Sequence, residues 1–569
     1  MLHRPLASLA ALSLLAACAT VPSPAPEQPA FAPDVGLVSA ADPRAVEAGM
    51  AILRQGGSAT DAAIATMLAL TVVEPQSSGI GGGGFYVRGD ATGGVETIDG
   101  REKAPAGATG DWFFGPDGKP LPFDEAQASG LSVGVPGNLR LAELAHREHG
   151  KLSWAKLFQP AIALARDGFR ITPRLHEALD RERATGARDA EGRALFYGED
   201  GQPLAVGATA RNPALAATLE RLASNGADSF YTGERAAALA AEVAADTPRP
   251  RPMTVGDLES YQAKERRPVC GTYRTYRICG MGPPSSGATT VYAILKQLER
   301  FDLKAMGSAS PAFWHVFAES QRLAYADREK FSADADFINV PVAGMTDPGY
   351  LAARGALIAL DRTLPTPAAG AVAGAVALAD GDEPEEHGTS HFVAVDRWGD
   401  AVSYTSTIES GFGSGLVFGG FYLNNELTDF SNVPSVNGVQ VANRVEGGKR
   451  PRSSMSPTLV YDGDGKLLLA VGAAGGATIP VQTAKNLIAM LDFGLPPQDA
   501  LALPVMFSPG DTVYLEAGTP LAAMTDALRA LGHTVVVRPG GFKANAAMRV
   551  GDRWVGAADP RSEGTWKVE

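Results

Sequence analysis

Thr389 stands where the composition of the chain changes most sharply. Residues 365–388 are rich in Gly and Ala and end in an acidic run. From Thr389 onward, small and apolar residues alternate with polar ones. A Gly-containing turn at 397–400 then leads into a second alternating run. This pattern predicts a disordered leader feeding a β-hairpin. If the bond between Gly388 and Thr389 is cut, Thr389 carries a free amine beside its own hydroxyl, and the amine can serve as that hydroxyl's base. With the turn centred on Trp398 and Gly399, strand pairing sets Thr389 across from about Ile408. Thr407 then lies close enough for a second hydroxyl to orient the first. Gly388 has no side chain, so an attacking hydroxyl reaches its carbonyl and an N→O acyl shift is tolerated. Taken alone, the same pattern also fits a surface hairpin after a loop. His391 shares the strand face of Thr389, but a two-residue step of roughly 6.6 Å is long for direct proton transfer. A structural role suits it better.

The elements that must position these residues are those of a large globular chain. Its 569 residues suit one composite domain or two to three smaller ones. A net charge of −13 argues against nucleic acid as a partner. No apolar run after residue 20 reaches spanning length. Residues 1–17 read as a signal peptide with a basic start, an apolar centre and small residues before Cys18. Leu15-Ala16-Ala17-Cys18 resembles a bacterial lipobox, so Cys18 is a lipidation candidate. Residues 18–35 would then be a Pro-rich tether, and the protein periplasmic, touching the membrane only through that anchor. Cys270 and Cys279 flank a short hairpin turned near Arg274-Thr275. In an oxidising compartment they are placed to pair, and otherwise they are two half-buried thiols.

Residues 40–73 carry helical spacing broken at Gly56-Gly57, with Ser58 as a candidate cap. Residues 130–260 read as mostly helical. A Gly/Pro break then precedes another long helical stretch ending near Lys330. Gly79-Ile80-Gly81-Gly82-Gly83-Gly84 satisfies a dinucleotide fingerprint, but a helix precedes it and a strand follows, the reverse of the order that fingerprint needs. Close backbone packing beside a sheet explains it better. The eight histidines show no metal-ligand spacing, and no cofactor is implied. Helices mixed with antiparallel hairpins suggest α/β layers and not a parallel doubly wound sheet.

Twelve segments in order resemble the γ-glutamyltransferase (γ-glutamyl transpeptidase) family. They are DAAIATMLAL, GGGGF, GREKAPA, GVPG, QPAIALARDGF, PPSSG, YADRE, GTSHFVAVD, NNELTDFS, KRPRSSMSPT, GAAGG and ADPRSEG. The resemblance implies an N-terminal nucleophile hydrolase fold, a four-layer αββα sandwich of two mainly antiparallel sheets between helices. It implies self-cleavage between Gly388 and Thr389 into a large subunit, 36–388, and a small catalytic subunit, 389–569, which together form one domain. The implied activity is the transfer of γ-glutamyl groups from glutathione-like amides to water, amino acids or peptides, without a cofactor or metal. Related acyl groups, a glutaryl side chain or poly-γ-glutamate, are the nearest alternative. A non-catalytic envelope lipoprotein is the remote one.

By the same resemblance Thr389 is the nucleophile, Thr407 the supporting hydroxyl, and Gly475 and Gly476 the oxyanion turn. Arg101 offers a forked grip on the donor α-carboxylate. Ser453 and Ser454 add hydroxyls, and Glu409, Glu426 and Asp429 supply acceptors for the α-ammonium. Glu409 and Glu426 stand where many members have Asn and Gln, and Gly100 where Phe is usual. The loop 431–450 is short and holds no Tyr or Trp, which predicts a site without an aromatic lid.

Overall fold

The computed structural model describes Met1, residues 33–381 and residues 388–569. The signal peptide, Cys18 and most of the tether therefore lie outside the described residues, as do 382–387. Among the described residues, no helix is long and apolar enough to cross a membrane.

The hairpin forms as its alternation requires. Strands Ser390–Asp396 and Ala401–Thr407 pair antiparallel, with Ser390 opposite Ser406 and Val395 opposite Ala401. Extending that register by one residue sets Thr389 opposite Thr407, one position tighter than the expected Ile408. The hairpin is the centre of a seven-stranded sheet. Its strands run in the order 565–568, 36–40, 390–396, 401–407, 83–89, 95–100 and 264–266, and every pairing is antiparallel.

A second antiparallel sheet has the strand order 553–558, 543–550, 467–474, 458–461, 276–280 and 269–273. Period-2 alternation assigns each hairpin residue to a layer. Phe392 and Ala394 pack among Met67, Leu68 and Leu139 on one side. Val393 and Val395 face the other way, into the core shared with Leu469 and Val471 of the second sheet. Helices Pro43–Arg54 and Ala59–Val73 cover the first sheet, while Gly287–Leu298, Pro311–Phe331 and Ile479–Leu491 cover the second. The architecture is the expected four-layer αββα sandwich. Both faces of the hairpin are buried, so its strands carry apolar residues on each.

Helix Ala59–Val73 begins at Ser58, whose side chain accepts from the Asp61 N–H while the Asp61 carboxylate accepts from the Ser58 N–H. Its C-terminal end delivers the glycine run to the sheet. A Cβ on Gly81 would sit 2.0 Å from the Tyr422 carbonyl, and one on Gly82 would sit 1.9 Å from that of Thr407. These glycines are there for close approach. Cys270 and Cys279 face each other in register and are joined by a disulfide, with Cα atoms 4.1 Å apart. The leader differs from expectation. Its described part, through residue 381, is irregular but pinned: the Gly370 N–H donates to Asp327 (2.8 Å) and the Ala379 N–H to the Gln440 carbonyl (2.9 Å). Irregular backbone next to packed layers finds partners for its N–H groups there.

Candidate active site

Thr389 is 3% exposed and lies at the mouth of the hairpin. Its Oγ1 donates to Thr407 Oγ1 at 3.2 Å, and the same Thr407 oxygen accepts the Glu409 N–H at 2.8 Å. Thr407 is thereby held as an acceptor aimed at the Thr389 hydroxyl. The Thr389 N–H donates to the Ser77 carbonyl (3.2 Å), which also takes the Ile408 N–H (3.3 Å). One carbonyl therefore fastens both strands of the hairpin beside the proposed scissile bond.

The backbone here is unusual. Gly388 has φ +73°, and a Cβ on it would lie 1.6 Å from the Glu409 carbonyl oxygen. Only glycine fits. Thr389 has φ +91° and Glu409 φ +74°. A β-branched residue in that region is a genuine outlier, costing on the order of 1–3 kcal/mol.

A small cavity of about 10 Å³ gathers most of the expected residues: Arg101, Thr389, Thr407, Glu409, Glu426, Asp429, Ser453 and Gly476. Gly475 and Gly388 instead line a neighbouring cleft of about 770 Å³, so the two spaces meet across the Gly475-Gly476 turn. That turn has φ +126° and +56° at its two glycines. Its bonds, from the Thr478 N–H (3.2 Å) and Thr478 Oγ1 (2.7 Å), both end on the Gly475 carbonyl.

Arg101 is 1% exposed, and four of its five N–H donors are engaged. They reach Glu426, Asp429, the Pro451 carbonyl (3.2 Å) and the Arg452 carbonyl (2.7 Å). Where the expectation set Arg101, Glu426 and Asp429 each on a ligand, here they pair with one another. The fork of Arg101 is already spent on carboxylates, because a buried guanidinium requires counter-ions. A ligand carboxylate meets one unengaged N–H unless it displaces Glu426 or Asp429. Those two acids, in turn, are first of all partners of Arg101. Glu426 Oε2 remains buried without a hydrogen-bond partner among the described residues. Glu409 is tied to Ser410 and, at 2.8 Å, to Asn425 Nδ2. The Ser453 hydroxyl accepts the Met455 N–H (3.2 Å) and lines the cavity. Ser454 does not line it, and its hydroxyl accepts from Arg328 of helix Pro311–Phe331.

His391 is core. It shares a hydrogen bond with Thr405 Oγ1 (2.8 Å) and packs where a Cβ on Gly472 would come within 2.4 Å of its ring. Burial holds its pKa near 3, so it stays neutral. Among the described residues, no group of His, Cys, Asp and Glu is arranged to hold a metal ion.

Sequence reasoning missed several residues. Asn425 fixes Glu409 and also takes the Ser410 N–H (2.8 Å). Asn424 ties Gly81 to Gly134, with 2.8 and 2.9 Å bonds to their carbonyls. Both lie in the matched NNELTDFS segment, which was the available signal. Ser77 and Lys543 gave no local signal. Lys543 meets Glu74 across 469 positions of sequence.

A buried threonine at the start of a hairpin, in a sandwich of two antiparallel sheets between helices, defines an N-terminal nucleophile hydrolase. The profile of the Gamma-glutamyltranspeptidase family matches residues 45–568, and the chain belongs to that family. It is 38% identical to the glutathione hydrolase proenzyme of Bacillus subtilis (strain 168), over 89% of this chain and 86% of that one. It is 34% identical to that of Escherichia coli (strain K12), over 98% and 97%. The cephalosporin acylase of Bacillus halodurans superposes with a TM-score of 0.82 at 26% identity, covering 97% of this chain and 99% of that one. The protein is an enzyme of this class.

Proposed function

We propose that the chain is a proenzyme that cuts itself between Gly388 and Thr389 and then moves γ-glutamyl groups from glutathione-like amides to water or to an amine. The observation that carries this reading is the single small cavity in which the Thr389 hydroxyl meets Thr407, Arg101, three carboxylates and the glycine turn. Strain at Thr389 favours the first step. Its hydroxyl attacks the Gly388 carbonyl, the C–N bond breaks, and water hydrolyses the resulting ester. The freed amine relieves the φ constraint. Gly388 lines the cleft of about 770 Å³ beside that small cavity, and the cleft is the space large enough for a donor.

In turnover the amine takes the Thr389 hydroxyl proton as Oγ1 bonds to the γ-carbonyl carbon. The oxyanion rests on the N–H groups of Gly475 and Gly476. The proton passes to the departing amine, and the ester is released by water or an acceptor. Glu426 Oε2, buried without a hydrogen-bond partner among the described residues, suits a donor α-ammonium. The whole-chain likeness to a cephalosporin acylase supports a second reading, the same chemistry on an acyl group without that ammonium.

A denaturing gel with N-terminal sequencing tests the first step. The wild type gives two polypeptides, the smaller starting at Thr389, and Thr389→Ala stays single. A small chain starting elsewhere removes Thr389 as nucleophile. Competition between a γ-glutamyl and a glutaryl anilide separates the two donor readings.

A further inference from the structure

A buried cluster at the wall of the cleft that Gly388 and Gly475 line takes no part in the steps above. Lys543 begins strand Lys543–Val550 and pairs with Ala474, the residue before the Gly475-Gly476 turn. Its Nζ lies 3.2 Å from Glu74 Oε2, 3.1 Å from Ser77 Oγ and 3.4 Å from Ser390 Oγ. Ser390 in turn donates to Glu74 at 2.5 Å. Glu74 caps the C-terminal end of helix Ala59–Val73. Ser77 is the residue whose carbonyl holds the Thr389 N–H, and Ser390 follows Thr389 in the chain. One ammonium therefore grips the residues on both sides of the nitrogen that becomes the catalytic amine.

We propose that Lys543 is a positioning residue for the Thr389 amine: through Ser77 and Ser390 it fixes where that nitrogen sits, and its charge, balanced by Glu74, keeps the amine unprotonated. The inference rests on the reading of Thr389 as a freed N-terminal nucleophile.

The physical need is plain. A free α-amine titrates at about 7.7–8.0, and only its neutral form accepts the Thr389 proton. A cation nearby disfavours a second positive charge, and a carboxylate nearby favours it. The charges around this nitrogen come from several elements, and Lys543 also lines the cleft of about 770 Å³ with Glu177, Arg181, Glu182, Glu516, Arg538 and Arg561. Lys543 comes from one strand, Glu74 from a helix end, and Arg174, from helix Pro173–Arg181, lies 3.8 Å from Glu74. Across the cavity stand Glu409 and the Arg101, Glu426 and Asp429 group. Lys543 and Glu74 are each 3% exposed, so the pair interacts largely out of bulk water, with Lys543 at the wall of the cleft. Burial already draws the Lys543 pKa down to about 8, and Glu74 opposes that pull. Removing Lys543 alone leaves Glu74 beside the amine with Arg174 as its ion-pair partner among the described residues, which raises the pH needed to deprotonate it.

The test uses full-length protein after maturation. N-terminal sequencing of wild type comes first. A small polypeptide that does not begin at Thr389 defeats the underlying reading, whatever the variants do. With correctly cut protein, kcat/KM for a γ-glutamyl anilide is measured against pH, since its acid limb reports the free enzyme's base. Lys543→Met is expected to move that limb up by about one pH unit. Lys543→Arg, which keeps the charge, is expected to leave the limb in place even if kcat falls. Lys543→Met with Glu74→Gln, which removes both charges, is expected to return it toward the wild-type position. Should the Met variant fail to mature, Lys543→Gln, which keeps a donor for Ser77, is read in its place. An acid limb unmoved in the uncharged variant, or moved equally in Lys543→Arg, overturns the proposal. A merely structural lysine would lower rates without moving the limb by charge.

Discussion

Arg101 holds together more of the site than any other side chain, and its variants separate two of its jobs. Arg101→Ala removes a buried ion pair from each of Glu426 and Asp429, which costs about 3–5 kcal/mol. Its unfolding midpoint in denaturant should drop accordingly. Arg101→Lys keeps a charge but not the four-way hydrogen bonding. A hydrogen bond to a charged group contributes about 1.5–3 kcal/mol, so kcat/KM for a γ-glutamyl anilide should fall at least about tenfold. That loss should shrink for a donor whose α-carboxylate is esterified. Equal losses for both donors would leave Arg101 a structural residue only. The next residue makes a pH prediction. Glu102 is fully buried, both its oxygens lack partners among the described residues, and burial raises its pKa from 4.5 to about 8. The folded state therefore holds this proton more tightly than the unfolded one. The resulting stability is present below about pH 4.5 and is lost as pH rises through about 8, at up to about 1.4 kcal/mol per unit. Glu102→Gln has no such proton to lose, so it should gain on wild type steadily from pH 5 to pH 8. A stability gap that does not change with pH would sink this assignment.

At the scale of elements, the hairpin works because it is clamped at its open end, by Ser77 upstream and by Asn425 through Glu409 and Ser410 downstream. The second hairpin, 269–280, is clamped covalently. Cys270 and Cys279 close a loop with a sequence separation of 9, worth roughly 2–3 kcal/mol in the chain-entropy model. The double variant Cys270→Ser, Cys279→Ser should melt lower than wild type, and reductant should lower wild type alone. Identical melting of both proteins with and without reductant would show that the bridge contributes nothing. The short loop 431–450 folds into a small exposed hairpin, 435–440, and none of it lines the cavity.

At the scale of the whole molecule, the proposed cut falls inside one sandwich. The seven-stranded sheet alternates segments from either side of Gly388: 36–40 lies between 565–568 and 390–396, and 83–89 pairs with 401–407. Cleaved halves share two sheets and two continuous cores. They should co-elute on a sizing column without denaturant and separate only when unfolded. Separate elution of the two polypeptides in native buffer would contradict the composite fold.

Much of this was legible in the chain itself. Alternation placed the hairpin, Gly388 marked where the backbone must stay uncrowded, and Ser58 marked the start of a helix. These signals are local: period, backbone freedom and a side chain reaching its own backbone each act within a few residues. The ordered segments also pointed to Arg101, Glu426 and Asp429 as neighbours of Thr389. The sequence alone left undecided what those residues do to one another. Whether Arg101 faces a ligand or spends its fork on two acids depends on how deeply the layers bury it, because a charge without water must find its partners inside the fold. The pairing of Glu74 with Lys543 depends likewise on two strands and a helix end meeting in space. Only the packed structure could bring that ion pair beside Thr389.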